Sequence, residues 1–253
     1  MSFFRGGPPV IRITPLPAEI VVKRGPPPPP PPPEITARID RIWTDERERR
    51  GPSLRNGRLL SIRQTDDAGF EVWETQYKWW IAQRQAPDLF PEIGIRPLAV
   101  TAFTHLLDAV VFARRSSEVT QDAGLWEIPP SGSVDPSRFP NGNKIDIAGQ
   151  LLSELSAELN IAPSLVLAIQ PFAVMEDTVE NVVDIVFDLR LAPDRAEVER
   201  LFHIRAGREY TELDIWPFCD LHENLERRRG QMSPGAVAIL GQRGMLPRDM
   251  VPA

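Results

Sequence analysis

The chain has 253 residues, of which 25% are charged and 42% hydrophobic, with a net charge of −6 and one cysteine. This is enough apolar material for a sizeable core, and the length suits one large domain with extensions or two small domains. The acidic balance argues against nucleic acid or an anionic membrane as partner, and a lone cysteine excludes an intrachain disulfide or a multi-cysteine metal site. Cys219 is expected as a buried structural thiol. No apolar run reaches the roughly 18–20 residues that span a bilayer. The start of the chain carries one early Arg and then Gly-Gly-Pro-Pro rather than an apolar signal block, so a cytoplasmic location is expected.

Two short β-like runs, Val10–Thr14 and Ile20–Lys23, open the chain, and the prolines around them confine such strands to edges. Pro26–Pro33 is eight prolines in succession, which forms an extended left-handed helix. It serves either as a semi-rigid spacer or as a ligand for a proline-recognising module. Ile35, Ile39, Ile42 and Trp43 at helical spacing predict an amphipathic helix over Glu34–Arg50. RLLSIR (Arg58–Arg63) and Phe70–Trp73 predict a hairpin, with Asp66–Gly69 as its turn. The aromatic segment that follows, with Tyr77, Trp79 and Trp80, serves either as core or as a stacking platform for a base.

PLAVTAFTHL, a turn at Leu107–Ala109 and VVFARRS predict a second hairpin with an interior face of Val, Ala and Phe. Alternation at its end sends Arg114 and Arg115 to opposite faces, either as two solvated charges or with one guanidinium facing a phosphate. After the central unit, Leu165–Ala173 and Val182–Leu191 read as strands, Asp194–Leu201 as a short helix and Tyr210–Pro217 as a strand. Ser233 is placed to cap a last helix with Pro234 at its first position.

The centre, Gly124–Ile161, reads as strand, Gly/Pro/Ser loop and helix. Ile147, Leu151, Leu152, Leu155 and Leu159 form an apolar stripe, and Glu154 and Glu158 lie one turn apart on another face. Side chains at that spacing have Cβ atoms about 5–6 Å apart, and like charges there repel. From Ile145 through Leu189 there is no Lys or Arg, while Glu176, Asp177, Glu180, Asp184 and Asp188 add further negative charge. Such a face is either solvated and balanced from a distance or offset by a bound cation, for which Mg²⁺ held by one or two carboxylates, waters and substrate phosphates is suited. His105, His203 and His222 lack metal-ligand spacing and read as structural or surface groups. No P-loop and no nucleophilic Ser or Cys motif is present.

Trp126-Glu127-Ile128-Pro129-Pro130-Ser131-Gly132-Ser133-Val134-Asp135 and Ser153-Glu154-Leu155-Ser156-Ala157-Glu158-Leu159-Asn160-Ile161 resemble the two ends of the motif Gly-x5-Glu-x7-Arg-Glu-U-x-Glu-Glu-x-Gly-U of the Nudix hydrolases, with U aliphatic. The order of the upstream segments (Val10–Val22, Ile42-Trp43, Pro52-x-Leu-x-Asn56-Gly57 and the Tyr77 region) is similar to the UDP-glucose/UDP-galactose pyrophosphatase branch. The resemblance implies an α+β fold, a Nudix-type α/β/α sandwich with a mixed sheet. A smaller α/β extension would precede it, divided as 1–33 strands and spacer, 34–92 N-terminal subdomain and 93–253 hydrolase-like domain. It also implies Mg²⁺-dependent cleavage of a UDP-hexose to UMP and a hexose 1-phosphate, with Mn²⁺ as a substitute metal. Glu154 and Glu158 would be metal ligands, with Glu154 also activating water. Arg115 or Arg114, Gly132 and Tyr77 would meet the substrate, and Glu176 or Glu180 would complete the metal site. Domains of this sort often pair, which leaves a homodimer open.

The chain departs from the motif at Ser153 in place of the bracing Arg, at Ala157 in place of one Glu and at Asn160 in place of Gly. Gly132 to Ser153 spans 21 positions where the motif has 14, so seven residues are inserted. Asp135 and Asp146 are the local carboxylates that would replace the motif's first Glu. The alternative these losses imply is a nucleotide-binding or scaffold protein without hydrolysis, docking a partner through residues 26–33.

Overall fold

The computed structural model describes residues 11–17, 20–52, 54–64, 69–119, 121–138, 144–204, 209–247 and 250. In chain order the strands and helices begin with β1 (Ile11–Pro15), β2 (Val22–Arg24), α1 (Pro33–Arg50), β3 (Arg58–Gln64), β4 (Phe70–Gln76), α2 (Tyr77–Gln85) and α3 (Phe90–Ile93). Next come β5 (Leu98–His105), β6 (Ala109–Arg115), β7 (Trp126–Glu127), β8 (Ser131–Ser133), α4 (Ile147–Leu159), β9 (Val166–Asp177) and β10 (Val182–Leu191). The chain closes with α5 (Arg195–Ile204), β11 (Tyr210–Pro217), α6 (Leu221–Arg227) and α7 (Pro234–Gln242). The turn expected at Asp66–Gly69 falls mostly outside the described residues.

The fold is α+β around a mixed sheet of order β1-β9-β10-β5-β6-β11, with β10 parallel to β5 and the other pairs antiparallel. Alternation along the strands sends Val100, Ala102, Val111, Ala113, Ile185 and Phe187 to one face. They pack there with Leu151, Leu155 and Leu159 of α4 and Val198 and Phe202 of α5. Phe103, Val110, Phe112 and Val186 point to the other face and meet α6 and α7. The three α4 leucines have no exposed surface, and burying each contributes about 1.5–3 kcal/mol. No helix among the described residues is long and apolar enough to cross a membrane.

β1, although it precedes the proline run, is the edge strand of this sheet against β9. β2, β3 and β4 form a separate three-stranded sheet. It is shared between cores, since Leu60, Ile62 and Val72 join the α4 face while Leu59 packs with Ile39, Trp43, Trp80 and Ile81 of α1 and α2. Pro26–Pro32 runs from β2 to α1 without helix or strand, and Pro26–Pro30 are exposed. Cys219 is exposed rather than buried as expected, because it lies in the short turn that follows β11.

The expected hairpin of β5 and β6 holds only at its closed end, where His105 faces Val110. Beyond that point the strands part, and β7 and β8 wedge between them: Glu127 pairs with Ala113 on one side and Gly132 with Val100 on the other. This wedge lies under α4 and builds the floor of the site.

Candidate active site

α4 begins where Asp146 accepts a hydrogen bond from the Gly149 amide (2.8 Å) and ends at Asn160, whose φ of 57° closes the helix in the left-handed region. The leucine stripe fixes the helix's rotation, and that rotation turns both glutamates toward the β7–β8 wedge. Glu158, whose face the sequence left either solvated or offset by a cation, is buried, with only 4% of its surface exposed. Its Oε2 accepts a hydrogen bond from the Ser131 amide at 3.3 Å, while its Oε1 is buried without a partner among the described residues. Burial first, and then the charges of Glu209, Glu127 and Glu154, raise its carboxyl well above the ordinary range.

Glu154 is half-buried, and its Oε1 accepts from Gln150 Nε2 at 2.5 Å. Burial raises its carboxyl, opposed by the Gln150 hydrogen bond and by Arg138. The β8 backbone passes close beside it. A Cβ on Gly132 would come within 2.5 Å of Glu154 Oε1, so the glycine leaves room for the carboxylate.

Beneath these two, Glu127 Oε1 accepts hydrogen bonds from Arg115 (2.5 Å), the Tyr210 hydroxyl (2.5 Å) and Ser131 Oγ (3.4 Å). Arg115 also pairs with Glu209 at 3.1 Å. Burial alone would lower the guanidinium's pKa, but Glu127, Tyr210 and Glu209 hold it high, so it stays charged. Burial also pushes the Tyr210 hydroxyl up, with Glu127 acting in the same direction, so it donates as a neutral group. Four carboxylates (Glu127, Glu154, Glu158 and Glu209) thus share one region, and Arg115 serves two of them. What remains is a negative pocket around the bare Glu158 oxygen, and a buried unpaired carboxylate must either take a proton or meet a cation. The donor set is all oxygen, which suits Mg²⁺ or Mn²⁺. Among the described residues no three Asp, Glu, His or Cys side chains already stand in metal-ligand geometry. The two α4 carboxylates would therefore hold such an ion together with water or substrate oxygens.

The structure brings together Glu154, Glu158, Gly132 and Arg115. It separates the other predicted site residues from them. Arg114 faces the opposite side of the sheet, bonding Glu212 at 2.9 Å and the Gly124 carbonyl. Tyr77 packs between Trp43 and Trp80, at centroid distances of 6.4 and 5.4 Å, inside the α1–α2 core. Glu176 is paired with Arg96 at 2.9 Å, and Glu180 accepts from Arg84 at 2.7 Å. Glu176 sits three strands from β8, about 14 Å by strand spacing. Glu176 and Glu180 are each already paired with an arginine from elsewhere in the chain. Asp135 and Asp146 are committed to local turns, accepting from the Ser137 and Gly149 amides.

Glu127, Glu209, Tyr210, Gln150 and Arg138 carry the rest of the site, and sequence reasoning passed over them. A signal for Glu127 existed: in Trp126-Glu127-Ile128 it sits between two apolar residues, which alternation sends to the opposite face.

No family model matches the chain, and no curated protein matches it. Among solved structures, a protein of Deinococcus radiodurans overlays 74% of this chain and 98% of its own, with a TM-score of 0.48 at 16% identity. A bifunctional NMN adenylyltransferase/ADP ribose pyrophosphatase from Francisella tularensis matches 65% of this chain and 45% of its own, at 0.45 and 14%. A NUDIX hydrolase from Nitrosomonas europaea matches 62% of this chain and 97% of its own, at 0.38 and 10%. Likenesses of this depth leave the site to be argued from its own residues.

Proposed function

We propose that the chain is a Nudix-type hydrolase that cleaves the diphosphate bond of a nucleoside diphosphate derivative, with a UDP-hexose giving UMP and a hexose 1-phosphate as the reading its upstream segments favour. The observation that carries the reading is Glu158: a buried carboxylate with a bare oxygen, one helical turn from Glu154, in a pocket walled by Glu127 and Glu209. A divalent cation there would offset the crowded negative charge, screen the diphosphate and lower the pKa of a bound water. Glu154 is the residue suited to take that water's proton, because burial raises its carboxyl toward the operating pH while Gln150 holds one oxygen in place. Gly132 lets the loop backbone approach the same spot. Arg115 contributes by offsetting part of the charge of Glu127 and Glu209 beneath the pocket, which is a different task from gripping a phosphate.

Incubation with Mg²⁺ and a panel of UDP-glucose, UDP-galactose and ADP-ribose tests the proposal. UMP release from the UDP-sugars is expected, and no product from any of them would remove the enzyme reading. Glu154→Gln should lower kcat about 100- to 10,000-fold with the fold intact. An unchanged kcat would show that α4 is not the catalytic element.

A second reading, nucleotide binding without turnover, draws on exposed Ala157, where the motif's carboxylate is missing, and on the lack of a ready three-ligand cluster among the described residues. Nucleotide-induced stabilisation with no product would favour it. The exposed run Pro26–Pro30 would then be the docking segment for a proline-recognising partner.

A further inference from the structure

The segment between Gly132 and α4, part of a span seven residues longer than the motif's, carries a short 3-10 turn, Pro136–Arg138, that folds back on the helix. The Asp146 amide donates to the Arg138 carbonyl at 3.0 Å, so the turn is stitched to the residue that caps α4. From there the Arg138 side chain lies along the helix, its Nε donating to Gln150 Oε1 at 3.1 Å and its Nη2 to Ser153 Oγ.

Gln150 is 5% exposed and is the hub of the arrangement. Its Oε1 accepts from both Arg138 Nε and the Asp135 amide (3.2 Å), and with both donors aimed at the oxygen, the amide nitrogen must point the other way. That direction is Glu154, whose Oε1 receives Nε2 at 2.5 Å. The Gly132 backbone closes in on the same oxygen, since a Cβ there would come within 2.5 Å of Oε1. Glu154 Oε1 is thereby confined by a donor whose orientation is fixed and by the backbone beside it.

We propose that Arg138, from the segment that precedes α4, is a positioning residue for Glu154, acting through Gln150 and replacing the bracing arginine that α4 lacks at Ser153. The inference rests on the hydrolase reading, since it concerns the geometry of a proposed metal ligand. Without Arg138, Gln150 Oε1 keeps only the Asp135 amide, the side-chain amide is free to turn, and Glu154 loses the donor that fixes its rotamer. Arg138 also places positive charge near Glu154, in keeping with its lowering effect on that carboxyl.

Mn²⁺ titration of the full chain without substrate, alongside melting of the chelator-treated protein, tests this. Removing a group that orients a metal ligand weakens binding about 10- to 100-fold, and that loss is expected for Arg138→Ala, with the metal-free melting temperature little changed. Arg138→Met, which keeps an unbranched side chain but has no donor for Gln150 Oε1, should show the same loss if the alanine variant fails to fold. Wild-type affinity in a folded Arg138 variant would overturn the inference alone. A lowered metal-free melting temperature with unchanged affinity would also overturn it, as the mark of a merely structural tie. No Mn²⁺ binding by the wild-type protein would overturn the hydrolase reading and this inference with it.

Discussion

Glu158→Gln is expected to raise the melting temperature of the metal-free protein while abolishing its affinity for divalent cations. The wild-type side chain places a carboxylate with one unpartnered oxygen in a buried pocket beside Glu209, Glu127 and Glu154. An amide removes the charge, keeps an oxygen for the Ser131 amide and offers its NH₂ group to the neighbouring carboxylates. Relieving a buried unsatisfied group is worth about 1–3 kcal/mol, or a rise of roughly 2–10 °C for a chain of this size. Differential scanning calorimetry in chelator checks the first half and Mn²⁺ titration the second. A lower melting temperature together with retained metal affinity would mean that the pocket is not strained by this charge.

The same residue sets the pH dependence. Because the folded-state pKa of Glu158 lies above its ordinary 4.5, the stabilisation its proton gives is complete below about that value and is lost as pH rises through the folded pKa. Asp184 acts in the same direction. It retains some solvent contact, yet burial, Glu127 and Asp177 push its carboxyl up to about 7. Carboxyls held low, such as Glu74 and Asp88 under hydrogen bonds from Arg58 and Arg38, finish titrating below their ordinary values and add no slope in this range. The metal-free protein should therefore melt progressively lower from pH 5 to pH 8. Saturating Mg²⁺ or Glu158→Gln should reduce that slope to the share that Asp184 contributes.

Arg115→Ala should be among the most destabilising single changes in the chain. The guanidinium, with 10% of its side chain exposed, serves both Glu127 and Glu209, and Tyr210 crowds the same oxygen of Glu127. Removing one partner of such a buried pair costs about 3–5 kcal/mol, which corresponds to a fall of about 10 °C or more. Glu127→Gln added to this background should recover part of the loss, because it removes the charge that Arg115 left behind; a coupling of about 0.5–3 kcal/mol is expected. Arg114→Ala is the control, since its pair with Glu212 is largely exposed and should be worth less than about 1 kcal/mol. Denaturant unfolding of wild type, the two arginine variants, Glu127→Gln and the double variant checks the set. Equal small losses for Arg114→Ala and Arg115→Ala would contradict the arrangement.

The span of α4 was legible, because its apolar stripe and Asn160, a residue that tolerates a left-handed helix end, mark it, while the cap at Asp146 was read there only as a candidate ligand. The opposite character of Arg114 and Arg115 followed from strand alternation. The parting of β5 and β6 was not legible, because the strand that enters between them at β8 is Ser-Gly-Ser, a sequence with no β signal of its own. The acidic stretch from Glu176 to Glu180 misled for a related reason. Charge density along the chain marked it as a site, but Arg96 and Arg84, which neutralise it, come from far upstream and meet it only through tertiary contacts. Tyr77 was ambiguous for want of the partner faces of Trp43 and Trp80. The hydrogen bonds of Arg138 to Gln150 and Ser153 were not legible, because motif spacing gives no guide to which residue before α4 returns to the helix.

Whether Glu154 and Glu158 of α4 hold a divalent cation is decided by a crystal structure of the protein grown in Mg²⁺. An ion is expected about 2.0–2.1 Å from an oxygen of each of these two glutamates, with the Oε1 of Glu158 among its ligands and Glu176 and Glu180 still paired with arginine. An ion bound instead at Glu176 and Glu180, or none between Glu154 and Glu158 at saturating Mg²⁺, would contradict this placement.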